Sequence, residues 1–320
     1  MNRLYIYITI VICVFTIQSC DLDEIKSVAT SGEMKIATDE NVEPLMKDEV
    51  REFQRLNPEA KIVMSSGPTN NVITELLNRD TKFIVSTRVL NQEEKDIAVK
   101  NKMEITEIPF AIDAIGFIVN LKNPVTRVTS DDLRKILSGE TKNWLDITAQ
   151  DEEQNKEAKS FFNNSNEKIK LYIQRKNSST HDYLLDSILK QSQYSENAVI
   201  CSTTVQILES VRDNENAIGI VNMNWLSTGN HDTIDSTVKP LRVSKIWDNG
   251  KQDDYSEFHQ GLIFNGKYPY RRTIYIITSE VGITLATGFI TFLTKTDGQK
   301  IVLKNSLVPV NQPIRTIQIN

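Results

Sequence analysis

An α/β fold with mainly parallel strands is predicted by three features of the sequence. From Met34 to Lys102 short apolar strand-like runs alternate with helical stretches, the pattern of parallel strands joined by crossover helices. The same alternation returns between Leu171 and Val221. Polar loops rich in Ser, Thr and Asn follow the strands, at the carboxyl ends where open α/β sheets take ligands.

The elements follow in order. Met34–Ala37 reads as a strand, and Thr38-Asp39-Glu40-Asn41 as a loop. Val42, Leu45, Met46, Val50 and Phe53 then recur at helical spacing until Asn57-Pro58 stops the helix. Lys61–Met64 is a strand, Ser65–Asn71 a polar loop and Val72–Asn78 a short helix. Phe83-Ile84-Val85 is a third strand running into Ser86-Thr87-Arg88, with a charged helix over Asn91–Lys102. Asp113–Val119 is a long apolar strand, and Thr129-x-x-Asp132 has the capping-box spacing for a helix ending at Ser138-Gly139. Residues Ala149–Lys168 are strongly polar without strand periodicity and read as a surface insertion. After the strand Leu171-Tyr172-Ile173, Asn177-Ser178-Ser179-Thr180 caps a helix over His181–Lys190. A helix over Thr203–Arg212, strands at Ala217–Val221 and Thr273–Ile277, and helices around Gly288 and after Gln299 complete the pattern.

Composition narrows the function. The 320 residues are 39% hydrophobic and 25% charged, an ordinary globular balance. At about 150 residues per domain, that length fits two units with their own cores. With 37 basic against 42 acidic residues, a net charge of −5 and no basic block, nucleic acid is a poor partner. The N-terminus carries Asn2-Arg3, an apolar run Leu4–Ile17, then Gln18-Ser19-Cys20 and the acidic Asp21–Glu24. That is the layout of an export signal, too short to span a bilayer. Ile17-Gln18-Ser19-Cys20 also resembles a bacterial lipobox, which implies a signal peptide over 1–19, lipidation of Cys20 and a tether over 20–33. Of three cysteines only Cys201 would remain as a free thiol, beside Ile200, and it reads as a small buried hydrophobe.

Enzyme signatures are missing from the sequence. It has no Gly-x-Ser-x-Gly, His-Glu-x-x-His, P-loop or Gly-rich dinucleotide turn, and His181, His231 and His259 lack metal-ligand spacing. No enzyme activity, cofactor or metal is expected. A Ser178/His181 nucleophile pair is conceivable, but at a helix start both residues suit capping better than attack. What the sequence offers is helix starts with hydroxyls: Asn177–Thr180 downstream of Arg175, and Ser86-Thr87-Arg88 before another helix. Unpaired N–H groups, the positive helix end, hydroxyls and a guanidinium together suit a small oxyanion.

In this light the chain resembles the phosphate-binding (PstS-like) proteins of ABC importers. The resemblance runs through Val42-Glu43-Pro44-Leu45, Ser86-Thr87-Arg88-Val89-Leu90, Pro109–Asn120 with Asn123-Pro124, and Leu133–Trp144. It continues through Asn177–Thr180, Ala217–Val221, Tyr268-Pro269 with Tyr275-Ile276, and Gly298-Gln299 with Val308-Pro309. It implies the type II periplasmic binding-protein fold: two lobes, each a mixed, mostly parallel sheet flanked by helices, closing over the ligand by a hinge motion. Residues 34–114 with 225–320 would form lobe I and 115–224 lobe II. Thr38, Asp39, Asn41, Ser86, Thr87, Arg175, Ser178, Ser179 and Thr180 would surround the ligand, and Arg88 is equally a lobe-structure residue. The implied partners are a small oxyanion, most simply phosphate, an ABC permease, and a membrane reached through the N-terminal lipid, with the protein facing the periplasm or cell exterior. The sequence also departs from the family. Its first loop is acidic, Lys82 stands where the family has an Asp, and the Ser-Gly-Thr triplet is Ser178-Ser179-Thr180. The alternative is therefore a fold relative that lost phosphate and serves as a sensor, a surface-interaction module or a binder of another solute.

Overall fold

The computed structural model describes residues 28–147, 151–162, 167–190, 192–230 and 233–311. The expected signal peptide, the lipidation at Cys20, most of the tether, and His231 lie outside the described residues.

Strand β1 (Gly32–Asp39) lies between β2 (Ala60–Gly67) and β3 (Phe83–Ser86), parallel to both. Helix α1 (Glu43–Leu56) joins β1 to β2, α2 (Thr69–Leu77) joins β2 to β3, and α3 (Gln92–Lys100) follows β3. Register extends β1 and β2 beyond their apolar runs. The two pair residue for residue from Gly32 with Ala60 to Asp39 with Gly67, so Ser65, Ser66 and Gly67 of the expected Ser65–Asn71 loop are strand. Helix α1 buries the predicted stripe against the sheet, and Phe53 meets Phe289 edge-on at 5.0 Å between ring centroids.

β4 (Thr106–Val119) is the strand that links the two halves of the molecule. Its first part, to Ala114, runs antiparallel to β11 (Arg271–Thr278), which also pairs antiparallel with β3. Its second part, from Ile115, runs antiparallel to β8 (Ala217–Asn222). Beyond β8 lie β6 (Lys170–Gln174) and β7 (Val199–Cys201), all three parallel. The sheet path is thus β2-β1-β3-β11-β4-β8-β6-β7, with a parallel set at each end and antiparallel crossings between.

The second half has its own helices. β5 (Arg127–Thr129) leads into α4 (Ser130–Ser138), which starts with the capping box formed by Thr129 and Asp132 and ends on Gly139 at φ 79°. Helix α5 (Glu152–Phe161) occupies the expected insertion, anchored where Phe162 stacks on Trp144. Helices α6 (Ser179–Ser187) and α7 (Thr204–Asp213) flank β6 and β8. Gly219 lets α7 lie close to β8, because a Cβ there would come within 2.7 Å of Ile207 and Val211. Cys201 is buried, and burial pushes its thiol pKa up.

After α8 (Met223–Leu226) the chain does not go straight to the first half. β9 (Lys239–Pro240) pairs with Ile118 and Val119, and β10 (Arg242–Ser244) pairs with β5. Residues 239–244, expected with the first lobe, instead complete the second, because the free edges of β5 and of the distal part of β4 supply their hydrogen-bond partners. Helix α9 (Gln260–Phe264), β11, α10 (Leu285–Thr294), α11 (Thr296–Lys304) and β12 (Val308–Pro309) complete the chain. No helix among the described residues is long and apolar enough to cross a membrane.

Candidate functional site

The carboxyl end of β1 turns directly into a short 3-10 turn, Glu40–Val42, and Asp39 caps it. One carboxylate oxygen of Asp39, Oδ1, does this local work, accepting from the Asn41 amide and from Asn41 Nδ2, each at 2.9 Å. The other, Oδ2, faces away from the turn and accepts three hydroxyls: Thr69 Oγ1 at 2.6 Å, Thr87 Oγ1 at 2.6 Å and Ser179 Oγ at 2.8 Å. Thr69 begins α2, Thr87 follows β3, and Ser179 begins α6 in the other half of the molecule. Asp39, Asn41, Thr69, Thr87 and Ser179 are all buried.

Ser179 Oγ is the centre of the cluster. Besides donating to Asp39, it is met by Thr87 Oγ1 at 2.6 Å, Asn41 Nδ2 at 3.1 Å and Arg272 Nη1 at 2.9 Å. Arg272 reaches it from β11, where it pairs in register with Asp113 of β4. Its Nη2 lies 3.5 Å from Asp113 Oδ2 and 3.4 Å from Thr180 Oγ1. Asp113 is fully buried and also accepts from Asn222 Nδ2 at 2.8 Å. Burial raises its carboxyl pKa, and the Arg272 charge works against that rise.

An amide shell encloses the α6 side. Gln174 donates to Asn41 Oδ1 at 2.8 Å and to Thr204 Oγ1 at 2.9 Å, and its own Oε1 accepts the Ser178 hydroxyl. Ser178 caps α6 by accepting from the Thr180 amide at 3.3 Å, and Thr180 Oγ1 contacts Asn222 Oδ1 at 3.1 Å. Trp225 donates to the Glu40 carbonyl at 3.1 Å, and Asn224 accepts from the Leu45 amide at 3.1 Å. Residues from both halves and from the connecting strands therefore meet in one buried, hydrogen-bonded cluster.

The expected site residues divide accordingly. Asp39, Asn41, Thr87 and Ser179 meet directly, and Ser178 and Thr180 join through Gln174, Asn222 and Arg272. Thr38 and Ser86 are buried but bond locally: Thr38 Oγ1 lies 3.4 Å from the Asp39 carbonyl, and Ser86 Oγ donates to the Arg88 carbonyl at 2.8 Å. Arg175 lies outside the central cluster. Its side chain is 39% exposed and pairs with Glu40 at 2.5 Å on the rim. Arg175 follows β6 on the way into the Asn177 turn, which carries it outward. Burial raises the Glu40 pKa, opposed by Arg175. Arg88 is held by Glu94 at 2.7 and 2.8 Å and by Asn70 at 2.9 Å, and Lys82 pairs with Glu280 on the surface. The Ser178 hydroxyl is bonded to Gln174, while His181 packs on the Tyr194 ring at 4.6 Å, so no nucleophile–base pair forms. No metal-type cluster of acidic, His and Cys residues occurs among the described residues.

Sequence reading missed Arg272, Asp113 and Thr69. Two signals were available. Arg272 alternates with Ile274 and Ile276 on the buried face of β11, and Asp113 interrupts the apolar run from Ile108 to Val119.

Chemically, the cluster offers one guanidinium, several hydroxyl and amide donors, and one carboxylate oxygen able to accept a proton-bearing group. Two α/β halves joined through crossing strands, with such a cluster between them, are the architecture of a periplasmic-binding-protein domain. The chain belongs to the PBP superfamily, whose domain matches residues 26–297. It is similar to the phosphate-binding protein PstS of Borreliella burgdorferi, 24% identical over 297 residues that span 92% of this chain and 95% of that one. PstS of Staphylococcus saprophyticus is 24% identical over 263 residues, 82% of this chain and 75% of its own. Among solved structures, a Clostridium perfringens chain with bound phosphate superposes with a TM-score of 0.69 at 22% identity, covering 87% of this chain and 100% of that one. An ABC-type phosphate transport receptor from Vibrio cholerae gives 0.61 at 18% identity, again over 87% and 100%. At those identities the structural likeness establishes the fold.

Proposed function

We propose that this protein captures a hydrogen-bearing oxyanion, phosphate, between its lobes and delivers it to an ABC importer. The observation that carries the reading is the pairing of Asp39 Oδ2 with converging donors. Arg272, Thr87 and Asn41 suit anionic oxygens, and Asp39 suits the P–OH of a protonated phosphate. Sulfate, fully ionised at neutral pH, would set an oxygen against that carboxylate with no hydrogen between them. Support also comes from the relatives, which carry the name phosphate-binding protein PstS. Export, anchoring through Cys20 and docking to a permease belong to the same proposal and rest on the N-terminal sequence and that kinship.

Calorimetric titration with phosphate and with sulfate at pH 7 tests the reading. Saturable heat with phosphate, and sulfate weaker by at least about a hundredfold, is expected, the cost of a misplaced buried polar contact being about 1–3 kcal/mol or more for a charge. Equal affinity for both, or no heat with either, would remove the reading in favour of a fold relative with another solute.

A further inference from the structure

Ser179 Oγ stands where donors from three separate elements converge: Thr87 after β3, Asn41 after β1 and Arg272 on β11. Thr87 has one hydroxyl hydrogen, and both Ser179 Oγ and Asp39 Oδ2 lie 2.6 Å from its oxygen, so one of the two goes without it. An anionic oxygen, with three lone pairs and a charge, accepts all three donors. Counting hydrogens over the whole cluster gives the size of the shortfall. Thr69, Thr87 and Ser179 supply three hydroxyl hydrogens, whereas Asp39 Oδ2 and Ser179 Oγ make four close oxygen–oxygen contacts with them and with each other. One contact therefore lacks a hydrogen whichever way the hydroxyls turn. The Ser179 hydroxyl is an incomplete tenant of an anion's position.

We propose that Ser179 is an internal competitor for the bound anion. Its hydroxyl closes the two lobes on each other, and an incoming oxyanion takes over its donors by displacing it. This rests on the oxyanion reading above and adds how the site is regulated. Ser179 lies on α6 while Asp39 and Thr87 lie in the other lobe, so its hydrogen bonds are cross-lobe latches. The protein that receives ligand is the fraction in which those latches are open. Apparent affinity is then weakened by that fraction, about tenfold when one molecule in ten is open.

Removing the hydroxyl should raise the open fraction and the affinity by the same factor. The test compares wild type with Ser179→Ala, and with Ser179→Gly in case alanine perturbs folding. Amide hydrogen exchange over residues 38–42 and 178–182 reads opening without ligand, and calorimetry reads inorganic phosphate binding. The proposal expects exchange in both segments to speed up about tenfold, and phosphate to bind more tightly by a matching factor. Unchanged exchange overturns it, as does an affinity that stays equal or falls, since Ser179 would then be inert or a ligand itself. If neither protein binds phosphate, the phosphate reading fails, and the exchange result alone decides whether Ser179 is the latch.

Discussion

Replacing Arg272 by methionine separates what this residue does for the fold from what it does for the site. Arg272 and Asp113 face each other across the β11–β4 pairing, with side-chain exposures of 5% and 0%. Asp113 keeps Asn222 as a side-chain donor, and the Ala114 amide also favours its charged form. Losing the guanidinium leaves a buried carboxyl without its cation, a change that typically costs about 3–5 kcal/mol. Methionine fills similar volume, so cavity formation adds little. Urea unfolding at pH 7 should show that loss as a lower midpoint at unchanged slope. Because the deficit comes from a carboxyl stranded without its cation, Arg272→Met combined with Asp113→Asn should recover most of the stability. The double variant should still fail to bind phosphate, since Arg272 Nη1 reaches the centre of the cluster. A single variant as stable as wild type, or a double variant that binds normally, would refute the reasoning.

Other expectations follow from the same geometry. Asp39→Asn places an amide donor among three hydroxyls; phosphate should weaken by about tenfold or more and its margin over sulfate should shrink, as read by paired titrations. Arg175→Ala removes an ion pair that lies outside the central cluster, so phosphate affinity should change by less than about fivefold. Glu49, buried on α1 with both carboxylate oxygens unpartnered, has its pKa pushed well above the usual range by burial. The folded state keeps that proton after the unfolded state has lost it, so stability falls as pH rises above about 4.5, by up to about 1.4 kcal/mol per unit. Glu49→Gln should flatten that slope in denaturation measured from pH 5 to 7, and an unchanged slope would count against a buried, protonated Glu49.

The strand and helix order was legible because it is local. The stripe on α1, the Thr129–Asp132 box and the α6 cap at Ser178 are written in spacings of three and four residues. The donors at helix starts were legible for the same reason. Register was not. Which basic residue enters the cluster depends on β11 pairing with β4, a contact between Arg272 and Asp113 that lie 159 residues apart. Arg175, beside the cap motif in sequence, was the nearer candidate, yet the chain turns outward there and places it against Glu40. The acidic first loop looked hostile to an anion when read alone. In the fold five donor contacts enclose Asp39, and its second oxygen is an acceptor facing the other half of the molecule. The return of residues 239–244 to the second lobe likewise depends on free strand edges that spacing does not reveal.

A crystal structure grown with saturating phosphate would show directly whether the anion takes the place of the Ser179 hydroxyl. The account predicts phosphate between the lobes, within about 3 Å of Thr87 Oγ1, Asn41 Nδ2 and Arg272 Nη1, with one oxygen on Asp39 Oδ2 and the Ser179 hydroxyl moved aside. Phosphate bound elsewhere, or a cluster left intact beside it, would contradict the account.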